Sequence, residues 1–493
     1  MRLRVLATLL AALISGDAAA YDVMRAPGYA APDWDRPKAD RIIPNGAGNT
    51  VCGEAVGCEA PSLRVLVADS PSGAGASPLP GGSPSARSFG IQCDGTADDT
   101  AALAKAAASG KRVLFPPGVC TSTAGIMLTS GTKFECLTPR ACELRATGNI
   151  ASQFIGGEGI SDVEVTGFVL NTRKAVYPNN PVTVVSINRS TAGARVNLSG
   201  NYVAGATSAG LVVDNTATVT MNDNEVTDTY RDAIRSASSD GVSALRNNIH
   251  DLPNLANGFR AIIIGSSKNA IAKENRITHL RRSDGPEANF AFDFGGTVGF
   301  SITNNRIDGV QSFVDLEQGS ARGEIADNIF KGSIVSAANV DTGSIGVYCI
   351  NNGCSHIRIG GNDIAGVYTP IRIEGGFSYN IAGNDLHDFY GAGIVALPVS
   401  GSGVSANADS PSGAVVAIVA RSNMITNGSL HVPRAQSGID IQAKSGAVVG
   451  NRIQGDTFRS AIKDYGAGTD VEIADNLTGA DRRPDTIRRP RQP

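Results

Sequence analysis

The sequence predicts an all-β solenoid, with short parallel strands three to a coil, preceded by one helix. Three features of the chain predict it. The first is composition. Gly accounts for 58 of 493 residues, aromatics for 5% and charged residues for 18%, against about 25% charged in ordinary globular chains. At 42% hydrophobic the chain can bury a large core, but one of small and β-branched side chains, which favours short strands and tight turns. The second is a recurring tripeptide of Asn, any residue and usually an aliphatic one. It starts at Asn201, Asn224, Asn247, Asn275, Asn305, Asn328, Asn362, Asn384, Asn423, Asn451 and Asn476, in steps of 23, 23, 28, 30, 23, 34, 22, 39, 28 and 25. A floor near 22 or 23 with variable additions is what stacked coils with loop insertions produce. The third is a pair of further apolar alternations in each interval, such as Gly210-Leu211-Val212-Val213 and Val219-Thr220-Met221. The Asn itself reads as structural: it tolerates a left-handed turn, and its amide can hydrogen-bond to the Asn of the adjoining coil.

Residues 1–20 read as a signal peptide. Arg2 and Arg4 precede the apolar run from Val5 to Ile14, and Ala18-Ala19-Ala20 offers a small-residue cleavage site. That run is too short to span a bilayer and no later stretch approaches the needed length. A secreted or periplasmic protein without a membrane span is expected. Eight cysteines in close couples agree: Cys52 with Cys58, Cys93 with Cys120, Cys136 with Cys142, and Cys349 with Cys354. An even count at short spacing in an exported chain reads as disulfides. Residues 21–88 form an N-terminal segment and a Pro/Gly/Ser linker without core-forming residues. The solenoid is expected over 89–478, followed by a loose Arg/Pro-rich tail at 479–493.

The stretch from Phe89 to Gly118 reads FGIQCDGTADDTAALAKAAASGKRVLFPPG. Asp98 is placed to cap a helix over 99–109, since its short carboxylate can accept the first free backbone N–H groups. Val113-Leu114-Phe115 then forms a strand ended by Pro116-Pro117-Gly118. Capping explains Asp98 and Asp99 better than catalysis does. This stretch resembles the opening of the pectate lyase superfamily, with its Phe-Gly, Asp-Gly, paired Asp, alanine-rich helix and Pro-Pro-Gly turn. The resemblance implies a right-handed parallel β-helix plugged at its N-terminal end by the helix, running from Phe89 to about Leu477. It also implies an exported protein that cuts or epimerises acidic polysaccharides, or a relative of phage tailspike depolymerases. The signature sets of polygalacturonases and alginate epimerases are missing from this sequence, so the resemblance points to a carbohydrate substrate without fixing the reaction.

A β-helix turns sequence period into columns of side chains about 4.8 Å apart. Aligning the second strand of each coil gives an outward column of Val212, Arg235, Ile263, Asp293, Asp315, Tyr348, Arg372, Val395, Asp440 and Lys463. Two residues later the column includes Asp214, Glu317, Glu374, Leu397, Gln442 and Tyr465, and two residues earlier it includes Asp232 and Arg260. Charge is thus concentrated on one face of a chain short of it. A solvated face with cross-strand ion pairs is one reading. Long insertions at 250–259, 278–289 and 331–344 wall one part of this face, which favours a sugar-binding cleft.

Asp293, Asp315 and Glu317 are the candidate catalytic acids, because glycoside hydrolysis uses two carboxyls, one donating a proton and one activating water or attacking carbon. Arg260, Arg372, Tyr348, Glu374, Arg235, Asp232, His279 and Asp440 are the candidate substrate-binding residues, the arginines for substrate carboxylates or hydroxyls. His250 and His387 each follow the Asn tripeptide and precede Asp, which suits a structural role. A hydrolase needs no cofactor. The alternative, a polysaccharide lyase or uronate C5-epimerase, would use Ca²⁺ on Asp293, Asp315, Glu317 and Glu374, with Tyr348 or Arg372 as base. A non-catalytic glycan-binding β-helix is the third class. With 43 Lys+Arg against 46 Asp+Glu, the net charge of −3 offers no basic field for nucleic acid. The expected partner is a polysaccharide, bound by a monomer rather than a trimer.

Overall fold

The computed structural model describes residues 82–148, 150–172, 181–190, 193–252, 260–280, 289–317, 319–333, 344–350, 354–398, 415–426, 437–454, 458, 460–465, 470–478 and 484–487. The chain divides into Met1–Leu66 and Val67–Pro493, and all described residues belong to the second unit. The expected signal peptide, the segment 21–81 and the Cys52–Cys58 couple lie outside them.

Alternating apolar and polar residues put one side of every strand into the core, and repetition stacks the strands into parallel columns. Among the described residues thirteen strands, from Ile126–Met127 to Ser460–Asp464, form one sheet, here the face sheet. The other two strands of each coil, such as Arg195–Ser199 and Tyr202–Ala204, pair with their counterparts in the next coil, Thr218–Thr220 and Glu225–Thr227. The inward column of the face sheet runs Ile262, Phe292, Val314, Val347, Ile371, Ile394 and Ile439 in register. All seven are fully buried, each removing apolar surface worth roughly 1.5–3 kcal/mol. Under the coils that carry the candidate acids the core is aromatic. Phe313 lies 5.8 Å from Phe292 and stacks at 5.2 Å on Phe330, while Phe294 lies 5.4 Å from Phe300.

The recurring asparagines form one continuous ladder. Each backbone N–H donates to the side-chain oxygen of the next, from Asn201 to Asn224 at 3.0 Å through Asn451 to Asn476 at 3.0 Å. Each amide nitrogen also donates to that same oxygen and to a backbone carbonyl; Asn305 reaches Asn328 at 2.9 Å and Ala272 at 3.0 Å. Buried amides are thereby satisfied throughout, which the interior demands. The left-handed residue is not the Asn but the one before it: Asp223 has φ 59°, Glu274 57°, Asp327 56° and Gly200 71°. This corrects the expectation that the Asn takes the turn. Its amide reaches its neighbours from inside, and the preceding residue absorbs the bend.

A second ladder, of hydroxyls, lines the turn after the face sheet. Thr216 N–H donates to Ser239 Oγ at 3.3 Å, Ser239 N–H to Ser267 Oγ at 3.1 Å, and Thr297 N–H to Ser320 Oγ at 3.4 Å.

At the N-terminal end a helix over Thr100–Ala107 buries Leu103, Ala106 and Ala107 in the core. Asp99, not Asp98, is its N-cap residue. Asp98 accepts the Thr100 N–H at 3.0 Å, whereas the Asp99 carboxylate turns back to Gln92 N–H at 2.7 Å and Cys93 N–H at 3.2 Å. Both acids are therefore occupied by backbone, as a structural role requires. Disulfides join Cys93 to Cys120, Cys136 to Cys142 and Cys349 to Cys354. At the other end, Pro484–Ile487 pairs antiparallel with Asp470–Thr478. This part of the expected loose tail is a strand that covers the open edge of the last coil, whose backbone groups would otherwise lack partners.

Candidate functional site on the face sheet

The outward column is continuous in register. Arg235 pairs with Ile263, Ile263 with Asp293, Asp293 with Asp315, Asp315 with Tyr348, Tyr348 with Arg372, Arg372 with Val395, and Val395 with Asp440. Residues far apart in sequence therefore stand side by side because each coil restarts at the same register. Asp293 points outward between the inward Phe292 and Phe294, and Asp315 between Val314 and Leu316.

Glu317 lies beside Gly295 in register. A Cβ at Gly295 would stand 3.5 Å from Glu317 Oε1 and 3.8 Å from Asp293 Oδ1. The missing side chain is the space over which those two carboxylates converge. Asp293 is only 9% exposed and Asp315 7%. Burial pushes the Asp293 pKa up, against the nearby Arg260 guanidinium, and the charge of Asp232 adds to the rise. Arg260 Nε donates to Asp293 Oδ2 at 3.1 Å and its guanidinium lies 5.9 Å from the Phe290 ring centre.

On the next coils Arg372 lies 5.5 Å from the Tyr348 ring centre and pairs with Glu374 at 2.5 Å. Tyr348 is held well above the ordinary phenol range, first by burial and then by Glu374, with Arg372 opposing. Beyond this pair a cleft of about 390 Å³ opens along the same face, bounded by Arg372, Glu374, Val395, Leu397, Pro398, Gln442 and Tyr465.

On the N-terminal side Arg235 Nη2 reaches Asp214 Oδ2 at 3.2 Å. The carboxyls of Asp214 and Asp232 are both raised by burial against neighbouring arginines. Asp232 thus belongs electrostatically with Arg260 and Asp293. Asp440 is buried three coils beyond Asp315's neighbour Tyr348 and accepts the Ser437 hydroxyl, so it stands apart from the acid group. His279 is corrected outright. It lies not in a loop near Asp293 but on the strand Arg276–Leu280, outside the face sheet, exposed and 3.6 Å from Asp251. The two other singled-out histidines are clasps between coils. His250 bridges Asp251 at 2.8 Å and Glu225 at 3.2 Å. His387 bridges Asp388 and Asp363, both at 2.9 Å. Most of each long insertion expected to wall the site (253–259, 281–288 and 334–343) lies outside the described residues.

The four acids suggested for Ca²⁺ do not fit a cation cradle, because Asp293 and Glu374 are already bound to arginines. Among the described residues the one group offering three ligand atoms within 4.8 Å is Cys93, Asp99 and Cys120, and its cysteines are joined to each other. Reading from sequence also passed over Val395, Leu397, Pro398, Gln442 and Tyr465 as a site, although four of them stand in the same outward columns.

Fold and face together define a parallel β-helix protein with buried acids in register on one outer sheet. The chain has a right-handed parallel β-helix fold, and residues 183–353 match the family model described as right handed beta helix region. It is similar to the N-terminal fragment of gene product 12 of bacteriophage phi29, with TM-score 0.61 at 15% identity over 80% of this chain and 70% of that one. Its similarity to the pre-mature form of that gene product has TM-score 0.52 at 14% identity, over 80% and 55%. The A-module of the Azotobacter vinelandii mannuronan C-5 epimerase AlgE6 aligns with TM-score 0.47 at 15% identity, over 81% and 100%. These likenesses are of fold. No curated protein matches the sequence. Among the described residues no helix is long and apolar enough to cross a membrane.

Proposed function

We propose that this is an exported enzyme acting on a polysaccharide, a glycoside hydrolase whose acid is Asp293 and whose second carboxylate is Asp315. The observation that carries the reading is the register pairing of Asp293 with Asp315 on the outward face, with Asp293 held toward its protonated form by burial. A carboxyl whose pKa is raised, beside a second carboxyl, is the arrangement glycoside hydrolysis uses. Asp293 donates its proton to the glycosidic oxygen as the bond to the anomeric carbon breaks. Asp315 attacks that carbon, and water then releases the sugar with Asp293 acting as base. Spacing of about 4.8 Å between paired strands supports this retaining route, which needs carboxyls about 5 Å apart. Arg260 holds Asp293 in place, Glu317 stands beside it across Gly295, and Arg372 with Glu374 binds sugar further along the face. The three disulfides among the described residues support export.

Elimination is the weaker reading for a physical reason. Its base would be Tyr348 or Arg372; the Tyr348 anion is opposed by burial and by Glu374, and Arg372 is engaged with Glu374. Incubation with a panel of neutral, acetylated and acidic polysaccharides tests the proposal. New reducing ends without an ultraviolet-absorbing double bond are expected. Both together would mean elimination, and binding without any product would mean a glycan-binding protein.

A further inference from the structure

We infer that the cleft beyond Arg372 is a subsite for an acetamido sugar, so that the substrate carries N-acetylated residues rather than uronates; this rests on the polysaccharide reading above. The cleft belongs to the same face as the acids. Asp315, Tyr348 and Arg372 are consecutive register partners, so Arg372 lies about 10 Å from Asp315 at ~4.8 Å per coil, within reach of one bound saccharide chain.

Its lining combines two kinds of group. Val395 and Leu397 are the outward members of a strand whose inward members, Ile394 and Ala396, are fully buried. With Pro398 they make an apolar patch where a solvent-facing strand ordinarily alternates to polar residues. Tyr465 closes the patch two coils on, 42% exposed, its ring centre 4.2 Å from Lys463 Nζ. Beside the patch stand a donor and an acceptor already paired with each other, Arg372 and Glu374 at 2.5 Å. A guanidinium has five N–H donors and a carboxylate about four acceptor sites, so both can bind more even though Glu374 also hydrogen-bonds to Tyr348. Gln442 adds an amide that donates and accepts.

An apolar spot next to a donor and an acceptor is the complement of an acetamido group. The methyl lies on Val395 and Leu397, the carbonyl accepts from Arg372, and the N–H donates to Glu374 or Gln442. A uronate fits poorly, because Arg372 is already neutralised and the incoming carboxylate would meet Glu374. A sugar bearing only hydroxyls would leave the apolar patch wet.

The test is saturation-transfer NMR on the full chain with four probes: methyl N-acetyl-β-D-glucosaminide, methyl β-D-glucopyranoside, methyl β-D-glucuronide and methyl α-L-fucopyranoside. The acetamido probe should bind best, with the strongest transfer to its acetyl methyl. Leu397→Asp and Tyr465→Ala should each weaken it about tenfold, the lower end for one apolar contact in a pocket. Two variants guard against misfolding of either. Asp315→Asn should leave binding unchanged, which separates this subsite from catalysis. Equal or better binding of the glucuronide or the glucoside would overturn the inference, and equal binding of the 6-deoxy fucoside would overturn its amide part. Acetamide binding in a protein that cleaves nothing would sink the hydrolase reading and leave the subsite standing.

Discussion

Asp293 and Asp315 are register partners on adjoining coils, and along its own strand each is flanked by fully buried apolar side chains. The inward Phe292, Phe294, Val314 and Leu316 are locked in the core, so the two outward carboxyls are fixed by the packing beneath them. Such a platform gives the positional rigidity that acid–base chemistry requires.

The pH profile follows from the electrostatics of Asp293. As the proton donor it works only while protonated, so kcat/KM should fall as pH rises through its raised pKa. Arg260 holds that pKa down, so Arg260→Gln should move the alkaline limb to higher pH. A profile of kcat/KM against pH for both proteins checks this, and an unmoved limb would remove Asp293 from the acid role.

Gly295 should be needed for activity and dispensable for folding. A β-branched side chain suits a strand, and the nearest atoms to a Cβ here are at ordinary contact distance. Gly295→Val would nonetheless fill the space between Glu317 and Asp293. Turnover should fall about 10²-fold, the scale of a small misplacement of catalytic groups, with an unchanged melting temperature. Full activity in this variant would show that the two carboxylates do not act across that space.

The Asn ladder predicts a stability effect far from the site. Asn305→Ala leaves the backbone N–H of Asn275 without its acceptor and removes one of the two acceptors of its amide, at about 1–3 kcal/mol for a buried group left unpaired. Urea denaturation should show that loss at an unchanged m-value. A loss below 0.5 kcal/mol, the size of an ordinary surface substitution, would mean the ladder is replaceable by water.

Much of this was legible in the sequence. The Asn period fixes the coil register, and register alone brings Asp293, Asp315, Tyr348 and Arg372 into one column. The turn detail was not legible, because Asp, Asn and Gly all tolerate left-handed φ and several ladder asparagines follow one of them. His279 was misplaced for a related reason: Arg276–Leu280 runs past it with a left-handed kink at His279 itself, φ 54°, which a period-2 pattern does not signal. The cleft was missed because Val395 and Leu397, taken singly, look like ordinary exposed apolar residues. Only their convergence with Tyr465 from another coil makes them a surface.

His387 predicts a pH-dependent clasp. Burial works against its charge, but hydrogen bonds to Asp388 and Asp363 outweigh it and raise the imidazole pKa. A raised folded pKa means that its stabilisation is complete below the unfolded value of about 6.5 and is lost as pH rises through the folded value. The stability difference between wild type and His387→Gln, followed by denaturation from pH 5 to 9, should therefore shrink toward alkaline pH. A difference that grows with pH would contradict the clasp.

If register-paired carboxyls on the face sheet carry out hydrolysis, Asp315 is the group whose loss must stop it. On whichever polysaccharide the wild-type protein cleaves, release of reducing ends by Asp315→Asn should drop by about 10⁴-fold or more, the scale of removing one member of a catalytic set, with the circular dichroism spectrum and melting curve retained. Undiminished release of reducing ends by a folded Asp315→Asn protein would contradict that role.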